Sequence, residues 1–121
     1  MNIRPKVIAQ IQTDQASRFR VVDNTNADKK IIAGQFPDVI LYAKEPAQDE
    51  VLFIMKVENG GELIDSLPQW KELANSPYAF YIVAPKNKLD EAKKLADATG
   101  VKARFAWYEV VGGEITQIHY E

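Results

Sequence analysis

Apolar residues recur with two different periods along this chain, and the change of period separates helices from strands. Val7, Ile8 and Ile11 have the three- and four-residue spacing of an amphipathic helix, which predicts a helix over about residues 5–16 with Pro5 in its first turn. Three short apolar runs then predict strands over about residues 18–22, 38–43 and 51–58. The segment 29–34 is ambiguous between a loop and a short strand at Ile31–Ile32.

The second half alternates between helical and strand-like patterns. A helix is predicted over about residues 67–75, where Ser66 and Gln69 have the spacing of a capping box. Asn87 is predicted to cap a second helix that Gly100 ends. A turn at Gly112–Gly113 is predicted to join two strands. The remaining predicted ranges are a buried strand at 78–84, a helix at 88–99 and the two hairpin strands at 101–111 and 114–120.

This order predicts a single α/β domain, residues 1–121, with a mixed central sheet flanked by helices. With 121 residues the chain is large enough for one core and too short for two. Hydrophobic residues make up 46% of the chain and charged residues 26%, which is typical of a globular protein.

Composition excludes several classes of function. The absence of cysteine excludes disulfides, thiolate metal sites and cysteine nucleophiles. Fifteen basic and 17 acidic residues give a net charge of -2, so nucleic-acid binding would need a local basic patch or a bound metal. No run approaches the roughly 20 apolar residues of a membrane helix. We therefore expect a cytoplasmic protein without a membrane partner.

Three ionisable residues stand in the strand-like runs, where burial would require partners. Lys56 and Glu58 share one face of their strand because side chains alternate with period two. If this strand pairs with the preceding one as a hairpin, Asp38 lies near both. The pattern predicts two acids and a lysine in one neighbourhood.

Pro37-Asp38, followed by Lys56 on the next strand, resembles the active-site core of the restriction-endonuclease-like nucleases. Their motif is Pro-Asp on one strand and Asp/Glu-any-Lys on the next. The resemblance covers about residues 5–84 and implies an αβββαβ core, to which the C-terminal helix and hairpin are additions. It also implies Mg²⁺ or Mn²⁺ held by Asp38 and Glu58, and a polar contribution from Gln69 on the following helix.

The chain departs from that motif at two positions. Ile54 stands where the pattern wants a carboxylate if Lys56 is the motif lysine. In the other register Lys56 and Glu58 fill both second-strand positions, with their charges inverted. Each site residue has a structural alternative: Asp38 as a solvated strand start, Lys56 as an edge lysine, Glu58 as its salt-bridge partner and Gln69 as a capping residue.

Other chemistry-bearing residues have weaker patterns. His119 is the sole histidine, and its expected place is a solvated edge strand. The aromatic residues of the later strands are expected in the core. Two hypotheses follow from the resemblance: a degenerate domain that binds nucleic acid or a partner protein, which we prefer, and a small Mg²⁺- or Mn²⁺-dependent nuclease that uses Asp38, Lys56 and Glu58. The edges of a small sheet also fit a homodimer.

Overall fold

The apolar runs of this chain form one six-stranded mixed sheet in a computed structural model, which describes residues 3–24, 37–44, 50–59 and 61–121. The helices of these residues are α1 Arg4–Gln15, α2 Leu67–Ala74 and α3 Leu89–Thr99, with short 3-10 helices at Leu63–Ser66 and Lys86–Lys88. The strands are β1 Phe19–Asp23, β2 Val39–Ala43, β3 Val51–Val57, β4 Ala79–Pro85, β5 Arg104–Tyr108, β6 Val110–Val111, β7 Glu114–Ile115 and β8 His119–Tyr120.

The strands lie in the order β1-β2-β3-β4-β5-β8, and β6 and β7 form a separate two-stranded hairpin. Strands β1, β2 and β3 form an antiparallel meander. Strands β3, β4 and β5 are parallel, and β8 is antiparallel to β5. The segments that contain α2 and α3 connect these parallel strands, so the carboxyl ends of β3, β4 and β5 meet at one edge of the sheet.

Two apolar cores lie on opposite faces of the sheet. On one face, Val7, Ile8 and Ile11 of α1 pack in a cluster that includes Met55 and Val57. On the other face, residues of α2 and α3 pack in a cluster that includes Ile54. Adjacent residues of β3 therefore point into different cores, as the period of a strand requires.

The α/β class, the mixed sheet and most of the predicted elements are confirmed. Helix α1 and strands β1 to β4 lie within one or two residues of their predicted ranges. Gly100 ends α3 with φ 74°, the left-handed conformation that glycine adopts without a Cβ penalty. The predicted strand at Ile31–Ile32 lies outside the described residues. Within the described ranges, no helix combines the length and apolarity needed to cross a bilayer.

Three local predictions are wrong. Ser66 makes no side-chain capping hydrogen bond to α2, and its hydroxyl is used elsewhere. Asn87 is not the cap of α3, because a 3-10 helix comes first and α3 begins after Lys88. The strand predicted over residues 101–111 is interrupted: β5 continues the main sheet, while β6 turns through Gly112 and Gly113 to pair with β7.

Candidate functional site

Asp38 lies immediately before β2 and is buried, with 8% of its surface exposed. Its backbone N–H donates to the carbonyl of Met55 at 2.9 Å, which extends the β2–β3 pairing by one residue. Its Oδ2 accepts a hydrogen bond of 2.8 Å from the N–H of Val57. The backbone of β3 therefore fixes this carboxylate, and the prediction of a solvated strand start does not describe it.

A buried asparagine holds the backbone around Asp38. The Nδ2 of Asn24 donates to the carbonyl of Pro37 at 2.9 Å, and its backbone N–H donates to the carbonyl of Asp38 at 2.8 Å. Asn24 is 1% exposed, so these bonds form away from water. Asn24 belongs to the run Asp23-Asn24-Thr25-Asn26, whose composition is typical of a turn, so the pattern does not predict this role.

Lys56 lies between the two acids. Its Nζ is 3.4 Å from Oδ2 of Asp38 and 3.7 Å from Oε2 of Glu58. Lys56 and Glu58 are each only 6% exposed. Lys56 is therefore interior and partnered instead of an edge lysine, and the expected proximity of the three side chains is confirmed. We call Asp38, Lys56 and Glu58 the buried cluster.

Glu58 is held by groups from four separate segments. Its Oε1 accepts from the Ser66 hydroxyl at 2.7 Å, and its Oε2 accepts from Nε1 of Trp70 at 3.2 Å. Its backbone N–H donates to Val83 at 2.7 Å, and its carbonyl accepts from the Tyr108 hydroxyl at 2.6 Å. Both carboxylate oxygens are thus engaged by donors in the protein interior.

Arg4, at the start of α1, completes the charges around the cluster. Its Nε lies 3.9 Å from Oδ2 of Asp38. Burial, together with the charge of Glu58, raises the pKa of Tyr108 to about 12, although the charge of Arg4 acts to lower it. Two formal positive charges therefore face two formal negative charges, which limits the cost of burying them.

The structure does not join the other two sequence candidates to this cluster. Gln69 is half-buried on α2, and none of the contacts of the buried cluster given above involves it, so its role in a site stays a prediction. His119 is exposed, as predicted, and its ring stacks on Trp107 with centroids 4.0 Å apart. Trp70 is fully buried and is also a hydrogen-bond donor.

The donor set of the buried cluster fits an ammonium better than a divalent cation. Mg²⁺ and Mn²⁺ prefer several oxygen ligands, usually including waters. Here Ile54 supplies no donor, and the two carboxylates already face Lys56, Ser66 and Trp70. Among the described residues, no three acidic or histidine side chains are grouped so that they could hold a metal ion.

A cleft of about 710 Å³ lies at the carboxyl ends of β3, β4 and β5. Tyr108, which donates to the carbonyl of Glu58, forms part of its wall. Its charged residues, Lys86 and Glu109, form an ion pair of 3.9 Å across the rim. The full lining is Ile3, Asn59, Pro85, Lys86, Asn87, Tyr108, Glu109 and Val110.

No model of a protein family matches this chain, and no match was found among curated proteins or solved structures. The function of the chain is therefore inferred from the residues and contacts described above.

Proposed function

We propose that this chain is a restriction-endonuclease-like domain that binds nucleic acid and does not hydrolyse it. The observation that carries the proposal is the position of the Lys56 ammonium between the carboxylates of Asp38 and Glu58. In the nucleases that the sequence resembles, a divalent cation bound to carboxylates activates water. In this chain the ammonium group of Lys56 faces the corresponding acids instead of a metal ion.

The strand register supports one of the two alignments of the motif. Val39 pairs with Met55, so Asp38, one residue earlier, and Lys56, one residue later, are neighbours on the same sheet face. Lys56 therefore stands where the motif has its second-strand carboxylate, and Glu58 stands where it has its lysine. The two charges are exchanged relative to the motif, and Ile54 is outside it.

An ammonium cannot replace the chemistry of a metal ion. A metal lowers the pKa of a bound water and polarises a phosphoryl oxygen. The ammonium of Lys56 has no ligand water to ionise, and it is 6% exposed, so a phosphate does not reach it in this conformation. The expected result of these contacts is a rigid fold with no hydrolytic activity.

Metal titration tests the proposal directly. We expect isothermal calorimetry of the purified protein with MgCl₂ or MnCl₂ to show no saturable binding. Incubation with single-stranded DNA, duplex DNA and RNA in either salt should yield no cleavage products, while fluorescence polarisation detects a complex with one of them. Saturable metal binding that is lost in Asp38→Ala and Glu58→Ala, but kept in the exposed control Asp97→Ala, would overturn the proposal. A wild-type protein that binds no nucleic acid would instead point to a partner protein.

One observation favours a second candidate, a metal-dependent nuclease with a rearranged site. The structure brings Asp38 within ion-pair distance of Lys56, which also faces Glu58, although Asp38 and Lys56 are 18 residues apart along the chain. Such an enzyme would require Lys56 to leave the two carboxylates when metal binds. Cleavage of any of the three substrates, dependent on Mn²⁺ or Mg²⁺ and lost in Asp38→Ala, would favour this candidate.

A further inference from the structure

Four half-buried aromatic rings form a row on the sheet face against which α1 packs. They belong to β1, β3, β4 and β8. Phe19 and Phe53 have centroids 5.4 Å apart, Phe53 and Tyr81 are 5.9 Å apart, and Tyr81 and Tyr120 are 6.5 Å apart. A contiguous row of partly exposed aromatic rings offers both apolar area and, at the two tyrosines, a polar group, which are features of binding surfaces.

These rings line a crevice of about 240 Å³ that also presents two positive charges. Arg18 lies in the turn after α1, with Cζ 5.5 Å from the centroid of Phe19. Arg104 begins β5 and pairs with Tyr81 in the sheet. Both arginines are exposed. The lining of this aromatic crevice is Gln15, Arg18, Phe19, Leu41, Phe53, Met55, Tyr81, Arg104 and Tyr120.

Size and charge restrict what the aromatic crevice can hold. Its volume lies below the range of about 300–1,000 Å³ found for drug-sized ligands, so it accepts a single planar group. Aromatic rings stack on nucleobases of any sequence, and arginine guanidinium groups pair with phosphate through two parallel hydrogen bonds. Neighbouring rings are tilted by 53° to 85°, so a planar base stacks on the face of one ring at a time. We propose that the aromatic crevice binds single-stranded nucleic acid, with one base on an aromatic ring and the flanking phosphates on Arg18 and Arg104.

This inference rests on the proposed function and specifies its ligand. A single strand exposes the faces of its bases, whereas a duplex presents only base edges in its grooves. A crevice lined by rings therefore favours the single strand. The arginine side chains contribute electrostatic affinity, and this part of the affinity falls as salt rises.

The charge state of Tyr120 is compatible with a phosphate nearby. Its hydroxyl donates to Oδ2 of Asp14 at 3.1 Å, which fixes the ring at one end of the crevice. Burial raises the pKa of Tyr120 above its ordinary value, and the charge of Asp14 adds to this shift. The side chain therefore stays neutral at physiological pH.

The aromatic crevice and the buried cluster lie at opposite ends of α1. Arg4, which faces Asp38, begins the helix, and Gln15, which lines the crevice, ends it. At 1.5 Å per residue the two positions are about 17 Å apart along the helix axis. Phe53 and Tyr81 belong to the core on the α1 face of the sheet, whereas Lys56 and Glu58 alternate to the face of Ile54, so substitutions of these two rings leave the side chains of the buried cluster in place.

The test is fluorescence polarisation with labelled oligothymidine and oligouridine of about 16 nucleotides, a length that spans the site sizes of known single-strand binding domains. The variants are Arg18→Ala/Arg104→Ala, which removes both charges, and Phe53→Leu/Tyr81→Leu, which removes two rings but keeps apolar side chains. The matched control, Lys71→Ala/Lys94→Ala, removes two exposed charges from α2 and α3, which pack on the opposite face. Circular dichroism establishes that each variant is folded.

We expect both crevice variants to bind at least about tenfold more weakly than the wild type, and the control to bind within about threefold of it. A duplex should compete poorly with the single strand. If the wild type binds nucleic acid but the crevice variants bind as tightly as the control, the crevice is not the site and the proposed function survives. If the wild type binds neither oligonucleotide nor duplex, the inference and the nucleic-acid function fail together.

Discussion

Lys56 lies in the interior of the domain, and its two carboxylate neighbours determine which changes the site tolerates. A buried ion pair gains little over apolar packing, because the charges lose their water. Removal of one partner, in contrast, leaves an uncompensated charge and costs about 3–5 kcal/mol. Asp38 and Glu58 share the single ammonium of Lys56, so the three side chains behave as a unit.

Exchange of the two charges on β3 tests the interpretation of the motif. Lys56→Glu/Glu58→Lys keeps the composition of the cluster and places a carboxylate beside Asp38 in the pattern of the resembled nucleases. We expect this double variant to bind Mn²⁺ in a saturable way, because two adjacent carboxylates supply the ligands that a hard cation prefers. Calorimetry against the wild type measures the gain.

The matched control for this exchange is a pair of exposed residues on α3, Glu91→Lys/Lys94→Glu, which also exchanges charges but not at the site. It should show no metal binding. A folded site variant that gives the same null result as this control would show that the register assigned to Lys56 and Glu58 is not that of a metal site.

Tyr108 makes the stability of the fold sensitive to alkaline pH. Its pKa is raised to about 12 in the folded protein from the ordinary value of 10.0, mainly by burial. Between these values the unfolded chain loses the proton and the folded chain keeps it. The stabilisation is therefore complete below about pH 10 and is lost as the pH rises towards 12.

We expect urea denaturation to show a free energy of unfolding that falls between pH 10 and 12 in the wild type and falls less steeply in Tyr108→Phe. The variant should start from a lower value at neutral pH, since it lacks the hydrogen bond to the carbonyl of Glu58. Tyr78→Phe, which changes a half-buried tyrosine outside the buried cluster, is the control. Identical slopes for wild type and Tyr108→Phe would exclude this role.

At the scale of elements, the segment between β3 and α2 serves the site instead of capping the helix. Ser66 precedes Pro68 in the first turn of α2, and with Gln69 it has the spacing of a capping box. Ser66 nevertheless adopts a helical conformation that continues the 3-10 helix into α2, and its hydroxyl donates to Glu58. As a helix cap the hydroxyl would accept a hydrogen bond from a backbone N–H, whereas here it donates to a buried carboxylate, whose unmet hydrogen bonds are costly.

A double-mutant cycle distinguishes these two roles of Ser66. If the hydroxyl serves Glu58, Ser66→Ala and Glu58→Gln should couple by about 1 kcal/mol or more in urea denaturation, as residues in one hydrogen-bond network do. If it served the helix end, the two effects would add. Ser76→Ala combined with Glu58→Gln provides the control, because the Ser76 hydroxyl accepts from the N–H of Tyr78 instead.

Elements in which apolar residues repeat with a regular spacing were predictable from the sequence. Elements whose ends depend on which of several hydrogen-bond partners the backbone takes were not. The buried run of β4 and the spacing of Val7, Ile8 and Ile11 require a core and fix their elements. The interruption of the C-terminal strands has another cause: Glu109 follows the last residue of β5, and its N–H donates to the hydroxyl of Thr116. Short residue patterns do not specify such a choice.

At the scale of the molecule, three residues of the cluster were predictable from the sequence because they lie on, or next to, two strands that pair directly. Period two and one hairpin are enough to bring Asp38, Lys56 and Glu58 together. Arg4, Ser66 and Tyr108 reach the same place from α1, from the turn before α2 and from β5, so their roles depend on the complete topology. The aromatic crevice was missed for the same reason, since its rings come from four strands.

The parallel β3, β4 and β5 bring these distant parts together. Their carboxyl ends surround the cleft of about 710 Å³, and Tyr108 links the last of them to Glu58. Ligands of open α/β sheets commonly bind at such an edge. In this chain the buried cluster lies at this edge, whereas the aromatic crevice lies near the C-terminal end of α1.

The sharing of one ammonium by two acids also has a consequence for how such a domain could change over generations. Any single substitution at position 38, 56 or 58 that alters charge produces a protein whose buried charges are unbalanced. The effect of each change then depends on which of the others has already occurred, so the order of substitutions is constrained by strong epistasis. In a lineage that had exchanged the two charges of β3, each single reversion would again leave an unbalanced buried charge and would be destabilising.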